Sequence, residues 1–156
     1  MKKLALTDFA KYRYPSALEL SPDGRYLTFA LKEVDREGDG YRWNLWLYDL
    51  ESRESRQITR GDDQRKAVWE DNTHILYKTT ELDEALRARG FEEEWTVYHR
   101  LNVCTGEESE AFRLPMSVSG LWKMDEGRYV FTGETHLDRP NLLELTGQAL
   151  EKELVR

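Results

Sequence analysis

Short apolar runs bounded by turn residues dominate the pattern of hydrophobic and polar positions along the chain. The runs are rich in aromatic and β-branched residues, and in the segment 25–31 Leu27, Phe29 and Leu31 fall on one face. This alternation is typical of β-strands. The pattern predicts clear strands at 25–31, 44–50, 74–78, 95–101 and 128–132, and weaker ones at 16–20, 57–59, 67–69, 111–114 and 118–122.

Three segments depart from the strand pattern. Residues 7–14 predict a helical turn that is capped by Thr7 and ended before Pro15. A short helix is predicted near 83–89, where Gly90 takes the position just after the helix end. A further short helix is predicted at 146–155.

One turn motif recurs along the chain. Its clearest form is Ser21-Pro22-Asp23-Gly24, a type I turn followed at once by a strand. The same order returns at 125–127, and 70–72 is a degraded form without the proline and glycine. The aligned positions Gly24, Asn72 and Gly127 are spaced 48 and 55 residues apart.

A second element repeats in phase with the first, because residues 48–54 are echoed 53 residues later by 101–107. Each is a strand that runs into a turn containing Asp or Asn. The repeating unit is therefore four antiparallel strands in about 50 residues, which is typical of a β-propeller blade. A plain β-sandwich holds as many strands and is the alternative, but it gives no reason for turns to repeat in register.

The predicted fold is all-β, a partial β-propeller of about two and a half four-stranded antiparallel blades. The predicted divisions are an N-terminal arm at 1–15, blade 1 at 16–65, blade 2 at 66–117, the first half of blade 3 at 118–137, and a truncated insertion with a helix at 138–156.

Residues 15–29, 44–50 and 57–59 together resemble the first blade of the prolyl oligopeptidase family, most of all its acylaminoacyl-peptidase branch. The opening at 6–9 resembles that branch too, and the resemblance extends to residue 137. It implies an N-terminal propeller that precedes an α/β-hydrolase domain and admits short peptides to it. Ser-Pro-Asp-Gly blades also occur in TolB-like propellers, so a protein-binding module is the alternative function.

A propeller closes with about four to eight blades, and fewer than about three repeats are marginally stable alone. The chain is therefore expected to be an N-terminal slice of a longer serine peptidase. Its expected partners are the remaining blades, the hydrolase domain and, in the parent, short peptide substrates. Self-association through open blade edges is also expected, because unpaired strand edges bind other strands.

Composition narrows the possible classes of function. Apolar residues make up 39% and charged residues 34% of the chain, and 12% of residues are aromatic, which is typical of a polar but folded protein. The net charge of −7 argues against nucleic-acid binding. The single cysteine forms no intrachain disulfide, and the short run after Lys3 is not a secretory signal. No run is apolar enough to span a membrane, so the expected location is cytoplasmic.

No residue of the chain matches the catalytic motif of the family. An α/β-hydrolase needs a Gly-x-Ser-x-Gly elbow, and the nearest serines, at 117–120, lack the leading glycine. His74, His99 and His136 have no metal-ligand spacing, and Cys104 lies beside a turn with acidic neighbours. No catalytic, cofactor-binding or metal-binding residue is therefore expected, and His99 is expected to pack within its strand.

Two features have both a functional and a structural interpretation. The run Glu92-Glu93-Glu94 resembles, in its chemistry, the propeller glutamates with which dipeptidyl-peptidase members of the family hold a substrate's amino end, although such runs are more often solvated. The five tryptophans could stack on sugars or bases. Four of them lie in or beside predicted strands, which favours packing between sheets. The five tryptophans are Trp43, Trp46, Trp69, Trp95 and Trp122.

Overall fold

The computed structural model describes residues 8–35, 37–82, 84, 94–125, 127–133, 145–149 and 152. These residues form an all-β fold, as predicted, preceded by one short 3-10 helix at Phe9–Lys11. The strands in this part of the chain are β1 (Tyr14–Leu20), β2 (Tyr26–Asp35), β3 (Gly40–Asp49), β4 (Glu54–Gln57), β5 (Ala67–Trp69), β6 (His74–Leu82), β7 (Glu94–Asn102), β8 (Glu108–Leu114), β9 (Val118–Lys123) and β10 (Tyr129–Gly133).

The strands form sheets in the order of the chain. The first sheet has the order β1-β2-β3-β4, the second β5-β6-β7-β8, and the third pairs β9 with β10. Sequential strands of the first sheet pair antiparallel, as do β5 with β6 and β9 with β10. The repeating four-stranded unit read from the sequence is therefore confirmed. The division of the chain into blades at residues 65 and 117 stays a prediction.

The described chain separates into two compact units, one of residues 1–78 and 99–109 and the other of residues 79–98 and 110–156. The core of the first unit lies between strands of the first and second sheets. Its buried residues are Ala30, Leu45, Leu47, Ala67, Trp69, Ile75, Tyr77, Leu101 and Val103. Ala30 and Leu45 pair across β2 and β3, which places them on the same face. Each large side chain buried here contributes about 1.5–3 kcal/mol relative to an exposed one.

The second unit contains a series of aromatic contacts. Tyr98 stacks on Phe112 with 5.0 Å between ring centroids, and Phe112 contacts Tyr129 at 5.9 Å. The buried Thr96 hydroxyl donates to the carbonyl of Met116 at 2.7 Å and accepts the N–H of Val118 at 3.0 Å. The start of β9 is thus bound to β7 through one side chain.

The predicted corner turns are present in the first and third sheets. The Gly24 N–H donates to the Ser21 carbonyl at 2.9 Å, and the Arg128 N–H donates to the Asp125 carbonyl at 3.1 Å. Gly24 and Gly127 both have φ of +74°, a left-handed conformation that glycine adopts without steric cost. The two glycines therefore share a backbone conformation, although Gly24 itself donates the turn hydrogen bond in the first sheet and the residue after Gly127 donates it in the third.

The second sheet forms the same corner without proline or glycine. The side-chain Oδ1 of Asp71 accepts the N–H groups of Thr73 and His74, both at 2.7 Å. The amide before the turn then donates to the carbonyl after it, from Glu70 to His74 at 2.8 Å. In the first sheet the aspartate of the Pro-Asp-Gly turn likewise accepts the Arg25 N–H through its Oδ1 at 3.1 Å, so an aspartate side chain stabilises both corners.

Several element boundaries differ from the sequence prediction. Strands β2 and β3 continue to the pair Asp35 and Gly40, beyond the predicted ends at Leu31 and Asn44, because the hairpin ladder extends through a stretch of mixed polar and apolar residues. The predicted strand at 57–59 is wrong, and the fourth strand is Glu54–Gln57. There the chain leaves the ladder because the Leu45 N–H donates to the Thr59 hydroxyl at 2.8 Å instead of to a backbone carbonyl.

The predicted helical segments are only partly described. The 3-10 helix at Phe9–Lys11 lies within the turn predicted at 7–14, while its predicted cap Thr7 lies outside the described residues. Glu84 is helical in the segment 83–89, and three residues are helical in the segment 146–155, namely Gln148, Ala149 and Lys152. Within the described residues, no helix has the length and apolarity needed to cross a membrane.

Candidate functional site

A cavity of about 310 Å³ opens in the first compact unit, beside the turns that end β3 and β7. Its chemistry is mixed, with two carboxylates, a guanidinium, a phenol, a thiol and two serine hydroxyls. The lining residues are Tyr26, Leu47, Asp49, Ser52, Glu54, Ser55, Arg56 and Cys104. Such a surface suits a small polar ligand better than an apolar one.

Cys104 and Tyr26 meet at the cavity wall, with 3.8 Å between the thiol sulfur and the phenol oxygen. The hydrogen bond with Cys104, together with partial burial, raises the pKa of Tyr26 above its ordinary value. The Tyr26 ring stacks on Trp69 with centroids 6.4 Å apart, and the Arg25 guanidinium lies 5.0 Å from its centre. The phenol is therefore protonated at neutral pH.

Asp49 and Arg56 provide charge at the cavity, and each is held by the fold. Burial opposes the charge of Asp49, but the N–H groups of Glu51 and Ser52 and the nearby Arg25 guanidinium lower the pKa of this carboxyl overall. The Arg56 guanidinium donates to the carbonyl of Val103, across from the first sheet to the second. Both charged groups are thereby fixed in place by backbone hydrogen bonds.

A second polar cluster lies on strands β6 to β8 within the same unit. The Tyr77 hydroxyl donates to Glu108 at 2.7 Å, and the His99 Nδ1 lies 3.4 Å from the same carboxylate oxygen. The rings of Tyr77 and His99 stack with centroids 5.3 Å apart. Burial, followed by the Glu108 contact, raises the pKa of Tyr77. His99 thus packs within its sheet, as its position in a predicted strand indicated.

His74 is bound to the corner turn of the second sheet. Its Nδ1 lies 2.9 Å from the Asp71 carboxylate. Although burial opposes the charge, hydrogen bonds from the Thr73 and His74 backbone and side chains lower the pKa of Asp71 to about 2. His74 is therefore a hydrogen-bond partner of the corner turn.

The serines at 117–120 do not form a nucleophile elbow. Ser119 lies inside strand β9, and its hydroxyl donates to the Thr132 carbonyl at 3.1 Å. A nucleophile elbow is a tight strand-to-helix turn, whereas β9 continues as a strand to Lys123. The contact pairs a hydroxyl with a carbonyl acceptor and does not supply a catalytic base.

Several other positions weighed in the sequence lie outside the described residues, namely His136, Glu92 and Glu93. Glu94 is described and is exposed at the start of β7. Among the residues that are described, no group of three or more His, Cys, Asp or Glu side chains could hold a metal ion.

The tryptophans divide between core and surface. Trp69 is buried in the core of the first unit, as packing between sheets predicts. Trp122 is 48% exposed, so core packing is wrong for this residue, because the face of β9 opposite Leu121 is open. The ring of Trp43 has the Arg65 guanidinium 4.2 Å from its centre, a cation–π contact at the surface.

No protein-family model matches the sequence, and no curated protein matches it either. Two solved structures are similar in fold. The acylaminoacyl peptidase of Pyrococcus horikoshii superposes with a TM-score of 0.60 over 85% of this chain. The β-propeller domain of the trilobed protease of Pyrococcus furiosus superposes with a TM-score of 0.56 over 79% of this chain. Each is 14% identical in sequence to this chain.

The fold is that of a partial β-propeller. It matches the fold that the resemblance to the prolyl oligopeptidase family implied, and it favours the propeller over the plain β-sandwich. The partial propeller spans 20% of the acylaminoacyl peptidase chain and 34% of the trilobed protease chain. The trilobed protease domain is described as having an open velcro topology.

The cavity of the partial propeller was not foreseen from the sequence. Its lining comes from positions as distant as Tyr26 and Cys104, which only the packing of the first two sheets brings together. The repeated turns at 48–54 and 101–107 were the available signal, because both contribute to the cavity wall. That signal identified a repeat without revealing that its copies face one another.

Proposed function

We propose that the chain is the non-catalytic N-terminal propeller segment of a cytoplasmic serine peptidase resembling acylaminoacyl peptidase. The observation that carries the proposal is the fold match to the propellers of two peptidases over 79% and 85% of this chain. The sequence adds support, because it contains no Gly-x-Ser-x-Gly elbow. In the whole protein the reacting serine, its histidine and its acid would come from an α/β-hydrolase domain.

The role of this segment is to form part of a rigid wall that admits short peptides and excludes folded proteins. The interface of the first two sheets suits such a wall. It has an apolar core, and the Trp69 indole N–H crosses it to donate to the Glu19 carbonyl at 3.1 Å. A packed interface of this kind resists the opening that a large substrate would require.

The proposed partners are the hydrolase domain and the remaining blades, together with other copies when the chain is alone. Strands β4, β8 and β10 are edge strands of their sheets in the described part of the chain. Unpaired edges bind further strands, so the isolated chain is expected to self-associate. Light scattering at rising concentration tests this, and a monomer at every concentration would contradict it.

The expected lack of catalytic activity is tested on the chain itself. A fluorophosphonate probe is expected to label nothing, and acyl-amino-acid and proline-containing chromogenic peptides are expected to remain intact. Labelling of Ser117 or Ser119 would overturn the non-catalytic assignment.

The reading frame after codon 156 separates the peptidase from the alternative. A downstream Gly-x-Ser-x-Gly elbow selects the peptidase. Further blades that end in a stop codon select a TolB-like propeller that binds other proteins.

The gating role is tested in the full-length enzyme by loosening the wall. Leu45→Ala removes a fully buried side chain from the core, whereas Leu50→Ala is a matched control at a 45% exposed position. We expect Leu45→Ala to raise kcat/KM for long peptides relative to short ones, and Leu50→Ala to leave that ratio unchanged. An unchanged ratio in both variants would contradict gating by this interface.

A further inference from the structure

His74 joins two turns of the second sheet that lie 28 residues apart in sequence. Its Nδ1 lies 2.9 Å from the carboxylate of Asp71, in the corner between β5 and β6. Its Nε2 lies 3.1 Å from the side-chain nitrogen of Asn102, at the start of the turn between β7 and β8. The imidazole therefore lies between an obligate acceptor and an amide.

The backbone fixes the orientation of the Asn102 amide. Its Oδ1 accepts the N–H of Cys104 at 2.9 Å and the N–H of Thr105 at 3.0 Å. The oxygen is thus committed to the turn, and the NH₂ group must face His74. Because an NH₂ group only donates, the His74 Nε2 must accept, and the ring must be neutral with its proton on Nδ1, directed at Asp71.

Protonation of His74 removes this arrangement. Both ring nitrogens of an imidazolium are donors, so an Nε2–H would face the NH₂ of Asn102. The conflict is relieved if the Asn102 amide rotates and presents Oδ1 to the ring. That rotation takes the acceptor away from the N–H groups of Cys104 and Thr105.

We propose that His74 is a pH-sensitive latch. The neutral ring keeps the Asn102 side chain hydrogen-bonded to its own turn. Protonation rotates the Asn102 amide and breaks those hydrogen bonds, which frees the turn whose Cys104 forms part of the cavity wall. The first sheet has the same turn without a histidine, because Asp49 Oδ1 accepts the N–H groups of Glu51 and Ser52. The turn on the other side of the cavity therefore does not depend on the protonation of a histidine.

The charged groups around the ring support a switch at the Asn102 side. Asp71 holds Nδ1 in either protonation state, since a carboxylate accepts from both the neutral and the charged ring. The neighbouring Glu70 and Arg100 are paired with each other, with 2.8 Å between Arg100 Nη2 and Glu70 Oε1. The hydrogen bond that changes on protonation is therefore the one to Asn102.

The tautomer is tested by ¹H–¹⁵N NMR of the whole chain with labelled histidine. At neutral pH we expect His74 to carry its proton on Nδ1, which is the less common form of free histidine. A proton on Nε2 at neutral pH would overturn the proposal.

The release of the turn is tested by amide hydrogen exchange across the His74 titration. We expect the protection of the Cys104 and Thr105 amides to fall roughly ten-fold on protonation, as for the loss of one hydrogen bond. The Glu51 and Ser52 amides of the first sheet are the internal control and correct for the intrinsic pH dependence of exchange. Equal behaviour of the two turns would overturn the latch.

The variant Asn102→Asp separates the latch from a general loss of structure. A carboxylate accepts both an Nε2–H and the turn amides, so the Cys104 and Thr105 amides are expected to keep their protection when His74 is protonated. His99→Gln is the matched histidine control and is expected to leave the Cys104 response intact. Loss of the response in His99→Gln would assign it to His99 and contradict the proposal.

Discussion

The turn between β3 and β4 and the turn between β7 and β8 have one hydrogen-bond scheme built from different residues. In the first, Asp49 accepts two backbone N–H groups through its side chain and the Arg53 N–H through its carbonyl at 2.8 Å. In the second, Asn102 does the same, with the Gly106 N–H donating to its carbonyl at 2.8 Å. The final residue is left-handed in both turns, with φ of +60° at Arg53 and +80° at Gly106.

The comparison shows that the repeat preserves an acceptor and a left-handed residue and does not preserve the amino acids that provide them. Arg53 adopts its conformation at a steric cost that Gly106 avoids. Asp49 brings a charge to the cavity, whereas Asn102 is neutral and contacts His74. The two sheets are thus alike in backbone and different in how they respond to mutation and pH.

The largest expected effect comes from the core that the two sheets share. Leu45 of the first sheet and Ile75 of the second are fully buried in it. We expect Leu45→Ala and Ile75→Ala each to lower the free energy of unfolding by about 2–5 kcal/mol, through lost burial and a new cavity. Urea denaturation measures this, with the exposed Leu50→Ala as a control that changes it by less than about 0.5 kcal/mol. A small effect at only one core position would mean that the sheets do not share the core.

The next largest effect is expected when the left-handed residues of the two turns, Arg53 and Gly106, are exchanged. Gly106→Arg is expected to cost about 1–2 kcal/mol, because a side chain enters a left-handed conformation. Arg53→Gly is expected to gain less than about 1 kcal/mol, since relief of that strain is offset by the backbone entropy of glycine. Chemical denaturation of both variants gives the signs, and equal signs would contradict the equivalence of the turns.

Acid is expected to weaken the turns that are held by an aspartate side chain, because protonation of the carboxylate weakens it as a hydrogen-bond acceptor. The folded pKa values of Asp49 and Asp71 lie below the ordinary value, that of Asp71 at about 2. A lowered folded pKa gives stability above the unfolded pKa of about 3.9, and this is lost as pH falls towards the folded value. We therefore expect the free energy of unfolding to fall less steeply between about pH 6 and about pH 2 in Asp71→Asn than in the native chain. Identical slopes would contradict the assigned hydrogen bonds.

The smallest effect concerns the contact between the two sides of the cavity. Cys104→Ala removes the thiol that raises the pKa of Tyr26, so Tyr26 is expected to titrate at lower pH. Stability is expected to change by less than about 0.5 kcal/mol, because Cys104 is exposed. NMR of ¹³Cζ-labelled tyrosine follows each ring, and Tyr98, whose burial raises its pKa to about 12, is the control. A shift at Tyr98 alongside Tyr26 would indicate a wider change of structure.

The sequence predicted the fold wherever turn chemistry and apolar alternation agree. The Pro-Asp-Gly corner before Arg25 predicted both its turn and the strand that follows, because each residue has one physical role there. The ends of β2 and β3 were missed, although Val34, Tyr41 and Trp43 lie there, because polar residues interrupt the apolar run on both strands. Strand β4 was misplaced for the same reason, as all four of its residues are exposed.

The candidate site was harder to predict because its contacts are non-local. Asn102 was recognised as a turn residue, but its pairing with His74 depends on how β6 and β7 lie in one sheet. The cavity depends on contact between the first two sheets, which no local pattern encodes. Repeats revealed which residues are equivalent and left open which of them touch.

Methyl NOEs in the whole chain, with labelled Ile, Leu and Val, test the central claim most directly. Two repeated sheets packed on one apolar core predict NOEs between Leu45 or Leu47 of the first sheet and Ile75, Leu101 or Val103 of the second. Their absence, with the NOEs within each sheet intact, would show that the repeated sheets do not pack as propeller blades and would contradict the account.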